Sequence, residues 1–239
     1  MGQVPHYLLI GNGRVSRHFQ HYFSLLNISF SLWHSNFSLA TLNEQLKSCT
    51  HILILISDDA IESFITENLN NTTALRIHFS GSLSLEQAYG AHPLMTFSSD
   101  LYAKERYLTI HFVIDDDAPD FEILLPGIPN SHSRLQKINK EKYHALCVLS
   151  GNFSCMLWQK LFSSLENEFN IPQSAAYPFL QQQTQNLLDH YQSALTGPLV
   201  RDDKKTITKN LAALSEDLFQ QVYQSFVSCY QMQNIKGKV

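Results

Sequence analysis

Apolar and polar positions along this chain fall into two regimes. Up to about residue 135, short runs of β character alternate with helical patterns. Tyr7-Leu8-Leu9-Ile10 predicts a first strand, and His18, Phe19, Tyr22, Phe23 and Leu26 then recur at helical spacing. Ile28 to Trp33 alternates with a period of two and predicts a second strand. His51 to Ile56 is almost continuously apolar, as expected for a central parallel strand buried on both faces. Asp58 and Asp59 stand where a helix would begin, with Ile61, Phe64, Ile65 and Leu69 on its apolar face. Leu75 to Phe79 and Tyr107 to Ile114 predict further strands. Strands alternating with helices imply an α/β domain with a parallel sheet and right-handed crossovers.

After about residue 139 the β character disappears. Lys140 to Phe169 is helical in pattern, with Tyr143, Leu146, Phe153, Leu157 and Leu161 among its apolar positions, and Asn170-Ile171-Pro172 ends it. Ala175 to Leu195 predicts a second helical region, broken by Thr196-Gly197-Pro198. Lys204 to Met232 predicts a third. The chain therefore reads as an α/β half at residues 1–138 and an all-α half at 139–239.

Composition narrows the classes. With 44% hydrophobic residues, the 239-residue chain can bury a sizeable core. A net charge of −4 gives no electrostatic case for nucleic acid or an anionic membrane. No apolar run approaches the roughly 20 residues that span a bilayer, and no basic-then-apolar leader opens the chain, so a cytoplasmic setting without a secretion signal is expected. Cys49, Cys147, Cys155 and Cys229 form no C-x-x-C pair and are expected to be reduced and mostly buried. The eleven histidines show no metal-ligand spacing. His18 and His21 are expected on a helix surface, and Asp115-Asp116-Asp117 in a solvated loop, with no metal site.

The strongest chemical signal is Gly11-Asn12-Gly13-Arg14-Val15-Ser16, directly after the first strand. A strand that breaks into a glycine turn and opens a helix can hold a dinucleotide pyrophosphate. The first glycine permits the turn, the second lets backbone approach phosphate, and the helix N-terminus offers free N–H groups. Ser16 stands where a third glycine is usual. The second strand ends Trp33-His34-Ser35-Asn36 with no acidic residue. An acid there would favour NAD, whereas His34 and Ser35 can donate to a 2′-phosphate, with Arg14 adding charge. The cofactor expected is NADP, with NAD as the alternative. Equally, His34 and Ser35 could merely cap the next helix. Ser57 and Asp58, after the third strand, complete the expected cofactor side.

Four further segments carry a resemblance: Ile77 to Ser84, Ala91 to Phe97, Lys140 to Ala145, and Ala194 to Asp202. With the glycine turn they resemble the 6-phosphogluconate dehydrogenase and β-hydroxyacid dehydrogenase superfamily. The closest resemblance is to a branch of Rossmann-like oxidoreductases whose helical half is a domain of unknown function. The resemblance implies a Rossmann domain at 1–138 and a helical substrate and dimerisation domain at 139–239. It implies hydride transfer to or from a small, carboxylated hydroxy, keto or imine substrate. The superfamily places a lysine and an asparagine one helical turn apart, which falls here on Lys140 and His144. Either could be the acid/base, since histidine itself transfers protons near neutral pH. Lys142 points about 200° away from Lys140 on the helix and cannot share that face. Ser80, Gly81 and Ser82, as well as His92, are expected at the substrate end, with Asn152 orienting substrate and Arg201 recognising an anion. Ser80 to Ser82 could instead be a plain turn before a helix from Ser84. A homodimer is expected, with Phe219 to Tyr230 as a candidate interface. Ser16 and His144 both depart from the enzyme pattern and keep a second reading open: a non-catalytic NADP-binding sensor or interaction protein.

Overall fold

The structure, a computed structural model, describes residues 4–236, and side chains as far as Gln233. Seven strands form one sheet in the order β2-β1-β3-β4-β5-β6-β7. They are β1 (Tyr7–Ile10), β2 (Phe30–Trp33), β3 (His51–Ile54), β4 (Leu75–His78), β5 (Tyr89–Pro93), β6 (Phe112–Asp115) and β7 (His132–Leu135). Helices α1 (Arg14–Leu26), α2 (Leu39–Leu46) and α3 (Asp58–Asn68) are the crossovers among the first four strands. Two short helices, α4 (Lys104–Leu108) and α5 (Phe121–Leu124), flank β6. The first five strands are parallel; β6 pairs antiparallel with β5 and parallel with β7.

Period-two alternation divides the core between the two faces. Tyr7, Leu9, Leu53 and Ile77 pack beneath Phe19 and Phe23 of α1. Leu8, Ile10, Ile52 and Ile54 pack beneath Ile61 and Ile65 of α3. All four residues of β1 are fully buried, as a strand covered on both faces requires. The chain leaves β1 toward β2 on one side and returns to β3 on the other. Ligands of open α/β sheets bind at such a switch point, outside the carboxyl ends of the strands.

Several expectations are corrected. The expected strand from Tyr107 begins only at Phe112, because Tyr107 and Leu108 close α4 and the chain turns through Thr109 and Ile110. Strands β5 and β7 carry no readable pattern: β5 contains Gly90 and Pro93, and β7 is a largely exposed edge. No helix follows Ser84. His18 is buried, not on a surface, and its ring bonds Tyr107 Oη at 2.8 Å and the Ser98 carbonyl at 3.0 Å. Asp115 is buried within β6, not in a solvated loop. Of the cysteines only Cys49 is buried; Cys155 and Cys229 are exposed.

Beyond β7 the chain is helical: α6 (Lys140–Cys147), a wider π-type turn over Val148–Phe153, α7 (Ser154–Asn167), α8 (Tyr177–His190), α9 (Lys204–Ala213) and α10 (Phe219–Lys236). The run expected from Lys204 to Met232 is thus two helices. The chain forms two compact units, residues 1–157 and 158–239. In the second, Trp158 packs on Phe162 and Phe179, and Lys160 pairs with Asp217 at 2.5 Å. Among the described residues no helix is long and apolar enough to cross a membrane.

Candidate functional site

A groove of about 780 Å³ opens where β1 and β3 end. Gly11 has φ of 113°, a conformation L side chains rarely adopt. A Cβ there would collide with the Leu55 carbonyl, so the turns after β1 and β3 touch backbone to backbone. Gly13 caps α1 without a side chain, and a Cβ on it would meet nothing within 4 Å. Gly13 directly precedes the first N–H groups of α1, which have no partner within the helix. Ser16 does not line the groove. It is buried, and its hydroxyl donates to the Gly11 carbonyl at 2.6 Å, closing the turn from behind. A residue that breaks the glycine pattern thus braces the turn.

The remaining cofactor candidates line this groove: Gly11 to Val15, Trp33 to Ser35, Ser57 and Asp58. The cap of α2 is Ser38, which accepts the Thr41 N–H at 3.1 Å. His34 and Ser35 therefore do not cap that helix. Asp58 is engaged: Ser80 Oγ donates to it at 2.5 Å, tying the start of α3 to the loop after β4.

A second groove, of about 880 Å³, lies beside the first within the same unit. Arg14 and Val15 line both, so the two adjoin at the start of α1. Strand β5 supplies His92, α6 supplies Tyr143 and His144, and the π-type turn supplies Gly151 and Asn152. Helical π-type turns are frequent at functional sites. His92 Nδ1 and Tyr143 Oη share a hydrogen bond of 2.8 Å. The His92 and His144 rings lie 6.0 Å apart, nearly perpendicular. Gly81 presses bare backbone against both; a Cβ there would lie 2.6 Å from His144 and 3.1 Å from His92. Burial lowers His92 to about 4, reinforced by the neighbouring His144 and Lys140 and opposed by Asp58, so the ring is neutral at pH 7. Burial raises Tyr143, which stays a phenol. Ser80 accepts the Leu83 N–H at 3.1 Å, and so it closes a tight turn as well as holding Asp58.

Lys140 lines neither groove. It is 4% exposed, its ammonium donates to Asp115 Oδ1 at 2.6 Å, and Asp115 Oδ2 accepts the Gly90 N–H at 2.7 Å. A Cβ on Gly90 would collide with Lys140 Nζ. The ion pair therefore pins the start of α6 onto β5 and β6. His78, next to Gly90 in register, is fully buried with neither ring nitrogen partnered in the structure, and burial with the nearby Lys140 lowers it to about 3. Arg201 is exposed in the second unit, on the turn between α8 and α9, where its N–H donates to the Gly197 carbonyl. Sequence patterns do not single out Tyr143 or Asp115. Tyr143 reads as an apolar helix position, and Asp115 meets its partner 25 residues away.

Residues 111–228 match a family described as a domain of unknown function (DUF2520). A candidate NADP oxidoreductase from Bacteroides fragilis has a similar structure, with a TM-score of 0.75 at 16% identity, over 95% of this chain and 98% of that one. A protein of Thermotoga maritima matches with 0.70 at 18%, over 98% of this chain and 100% of that one. An imine reductase from Myxococcus stipitatus in complex with NADP+ matches with 0.63 at 14%, over 98% and 95%. At these identities the likeness speaks for the fold. No curated protein matches the sequence. The chain has the Rossmann-like fold with a helical C-terminal half, and its residues 111–228 are similar to the DUF2520 family.

Proposed function

We propose that this chain is an NADP-dependent oxidoreductase that moves hydride to or from a small carboxylated hydroxy, keto or imine substrate. One observation carries the reading: two grooves meet at Arg14 and Val15, one walled by the glycine turn and the other by His92, Tyr143 and His144. The first fits a dinucleotide. Gly13 leaves space at the unpartnered N–H groups of α1, and no carboxylate stands at the end of β2 to repel a 2′-phosphate. Similarity to an NADP+-bound imine reductase supports the same cofactor. When bound, the nicotinamide supplies or accepts the hydride.

The chain's own residues bind, orient and move protons. Tyr143, a phenol at neutral pH hydrogen-bonded to His92, and His144 are the groups in the second groove able to exchange a proton with a substrate oxygen or nitrogen. Asn152 orients the substrate from the π-type turn. Lys140, locked on Asp115, acts as a positioning residue that fixes α6 and with it Tyr143 and His144. Exposed Leu187 and Leu188 on α8, Tyr191 just after it and Phe226 on α10 support a homodimer, which sedimentation would detect. The free cysteines suit a reducing, cytoplasmic setting.

The test is titration of the protein with NADPH and NADH, followed by calorimetry and by fluorescence of Trp33, which lines the groove. NADPH should bind more tightly, and Ser35→Glu should reverse the preference. No binding of either nucleotide at millimolar concentration overturns the proposal. The burial of Lys140 favours one second reading, a sensor that binds NADP without turnover. Bound NADPH that is never oxidised by a broad panel of oxo acids and imines, in wild type as in His144→Ala, would support it.

A further inference from the structure

We infer that Arg14 serves the second groove rather than the ribose end of the first, and that it makes this groove a receptor for a small carboxylate. The inference rests on the function proposed above and assigns the substrate's anionic group to one residue of this site. It also moves Arg14 away from the role its place in the glycine turn suggests.

The position of the guanidinium is the first argument. Its Nη1 donates to the Phe97 carbonyl at 3.3 Å. Phe97 lines the second groove and not the first, whereas His34 and Ser35 line the first and not the second. The side chain therefore leaves α1 toward the loop after β5. That loop is held in place independently: the His18 ring packs on Phe97 at 4.8 Å and bonds the Ser98 carbonyl.

Charge is the second. Among the described residues, Arg14 is the only lysine or arginine lining the second groove, and the lining contains no aspartate or glutamate. Among the same residues no carboxylate lies within ion-pair distance of Arg14. A guanidinium carries five N–H donors in a planar fork suited to a carboxylate, and here a neutral carbonyl is its protein partner. The rest of the lining agrees with an anion. Thr96, Ser150 and Asn152 can donate hydrogen bonds, and Leu94, Met95 and Leu146 supply apolar walls beside which an ion pair is stronger than in water. A carboxylate on Arg14 would set the rest of a short substrate between the start of α1 and the His92, Tyr143 and His144 cluster.

Oxalate and its neutral isostere oxamide are the probes, titrated calorimetrically into the protein without nucleotide. Oxalate should bind in the millimolar range or tighter and oxamide should not. Arg14→Gln should weaken oxalate by about tenfold to a hundredfold, the worth of a charged hydrogen bond, with Arg14→Lys in between. Both variants should keep their NADPH affinity and their preference for NADPH over NADH within about threefold. Arg14 is exposed, so unchanged thermal unfolding of both variants is expected and is checked first. No oxalate binding to wild type, or equal binding to wild type and Arg14→Gln, overturns the inference. So does an Arg14→Gln protein that loses NADPH preference and keeps oxalate. Failure of the function proposal looks different: oxalate binds and responds to Arg14, but neither nucleotide binds.

Discussion

The two grooves of the first unit are similar in size and opposite in construction. The first is made of backbone: a turn with Gly11 at positive φ, an uncovered Gly13, and the ends of two parallel strands. The second is made of side chains brought from β5, α6 and a π-type turn, and it is held in register by a buried ion pair, Lys140 with Asp115. A backbone site is set by turn geometry and by the pairing of neighbouring parallel strands. A side-chain site depends on contacts between distant segments, so its geometry is only as secure as the pins beneath it. The two grooves should therefore fail in different ways.

The sharpest way to break the second groove is to cut its pin. Asp115→Asn leaves the Lys140 ammonium buried without a counter-charge and should cost about 3–5 kcal/mol. At roughly 2–4 °C per kcal/mol for a chain of this size, thermal unfolding should move down by about 10 °C. The double variant with Lys140→Met should recover much of the loss, because it leaves no buried charge without a partner. If the single variant unfolds with wild type, the ion pair holds nothing and the contrast between the grooves collapses.

Acidification should also act on the second groove. His92 titrates near 4 in the folded chain, against 6.5 unfolded, chiefly because it is buried. As pH falls below 6.5 the unfolded chain takes up a proton that the folded chain refuses. The stability from this residue is therefore complete above about pH 6.5, and it is lost progressively as pH falls to about 4. The loss is of the order of 3 kcal/mol, and His78 adds a loss of the same sign. Thermal unfolding measured from pH 7 to pH 4 should show the fall, and His92→Gln should flatten part of it. A variant with the same slope as wild type would mean that His92 titrates normally.

In the first groove the two glycines separate cleanly. Gly11→Ala places a Cβ against the Leu55 carbonyl at a φ of 113° and should cost about 2 kcal/mol or more. Gly13→Ala meets no atom within 4 Å at an ordinary φ and should change stability by less than about 0.5 kcal/mol. Its effect should fall on nucleotide affinity instead. In the second groove, Tyr143→Phe removes one hydrogen bond to His92 and should cost about 1 kcal/mol. The nitrogen shifts of the His92 ring should move in that variant, and unmoved shifts would argue that the two side chains do not meet.

The same contrast governs how much of the fold and of the site is legible in the sequence. The segments β1, α1, β3 and α3 are legible because their periods are local: Leu8 and Leu9 face opposite layers by alternation, and Phe19 and Phe23 share one helix face. Most of the first groove follows from these segments. Strand β5 is illegible because Gly90 and Pro93 carry little strand preference; Gly90 is small because Lys140 and Asp115 lie against it. Its position at a helix start suggests a cleft for Lys140, and only the fold supplies the carboxylate that buries it. His18 looks like a surface residue beside His21, yet α1 turns it under the loop carrying Ser98.

By itself, the sequence determined an α/β first half, a helical second half, and a glycine turn at the start of the first crossover helix. Those features are set by periodicity and by the backbone freedom of glycine, which act within a few residues. The tertiary structure decided which polar side chains meet. It paired His92 with Tyr143, sent Arg14 toward Phe97, and withdrew Lys140 onto Asp115. Such pairings join residues from about 25 to more than 80 positions apart. They exist because the sheet order brings β5, β6, α1 and α6 together, and no local pattern encodes that order.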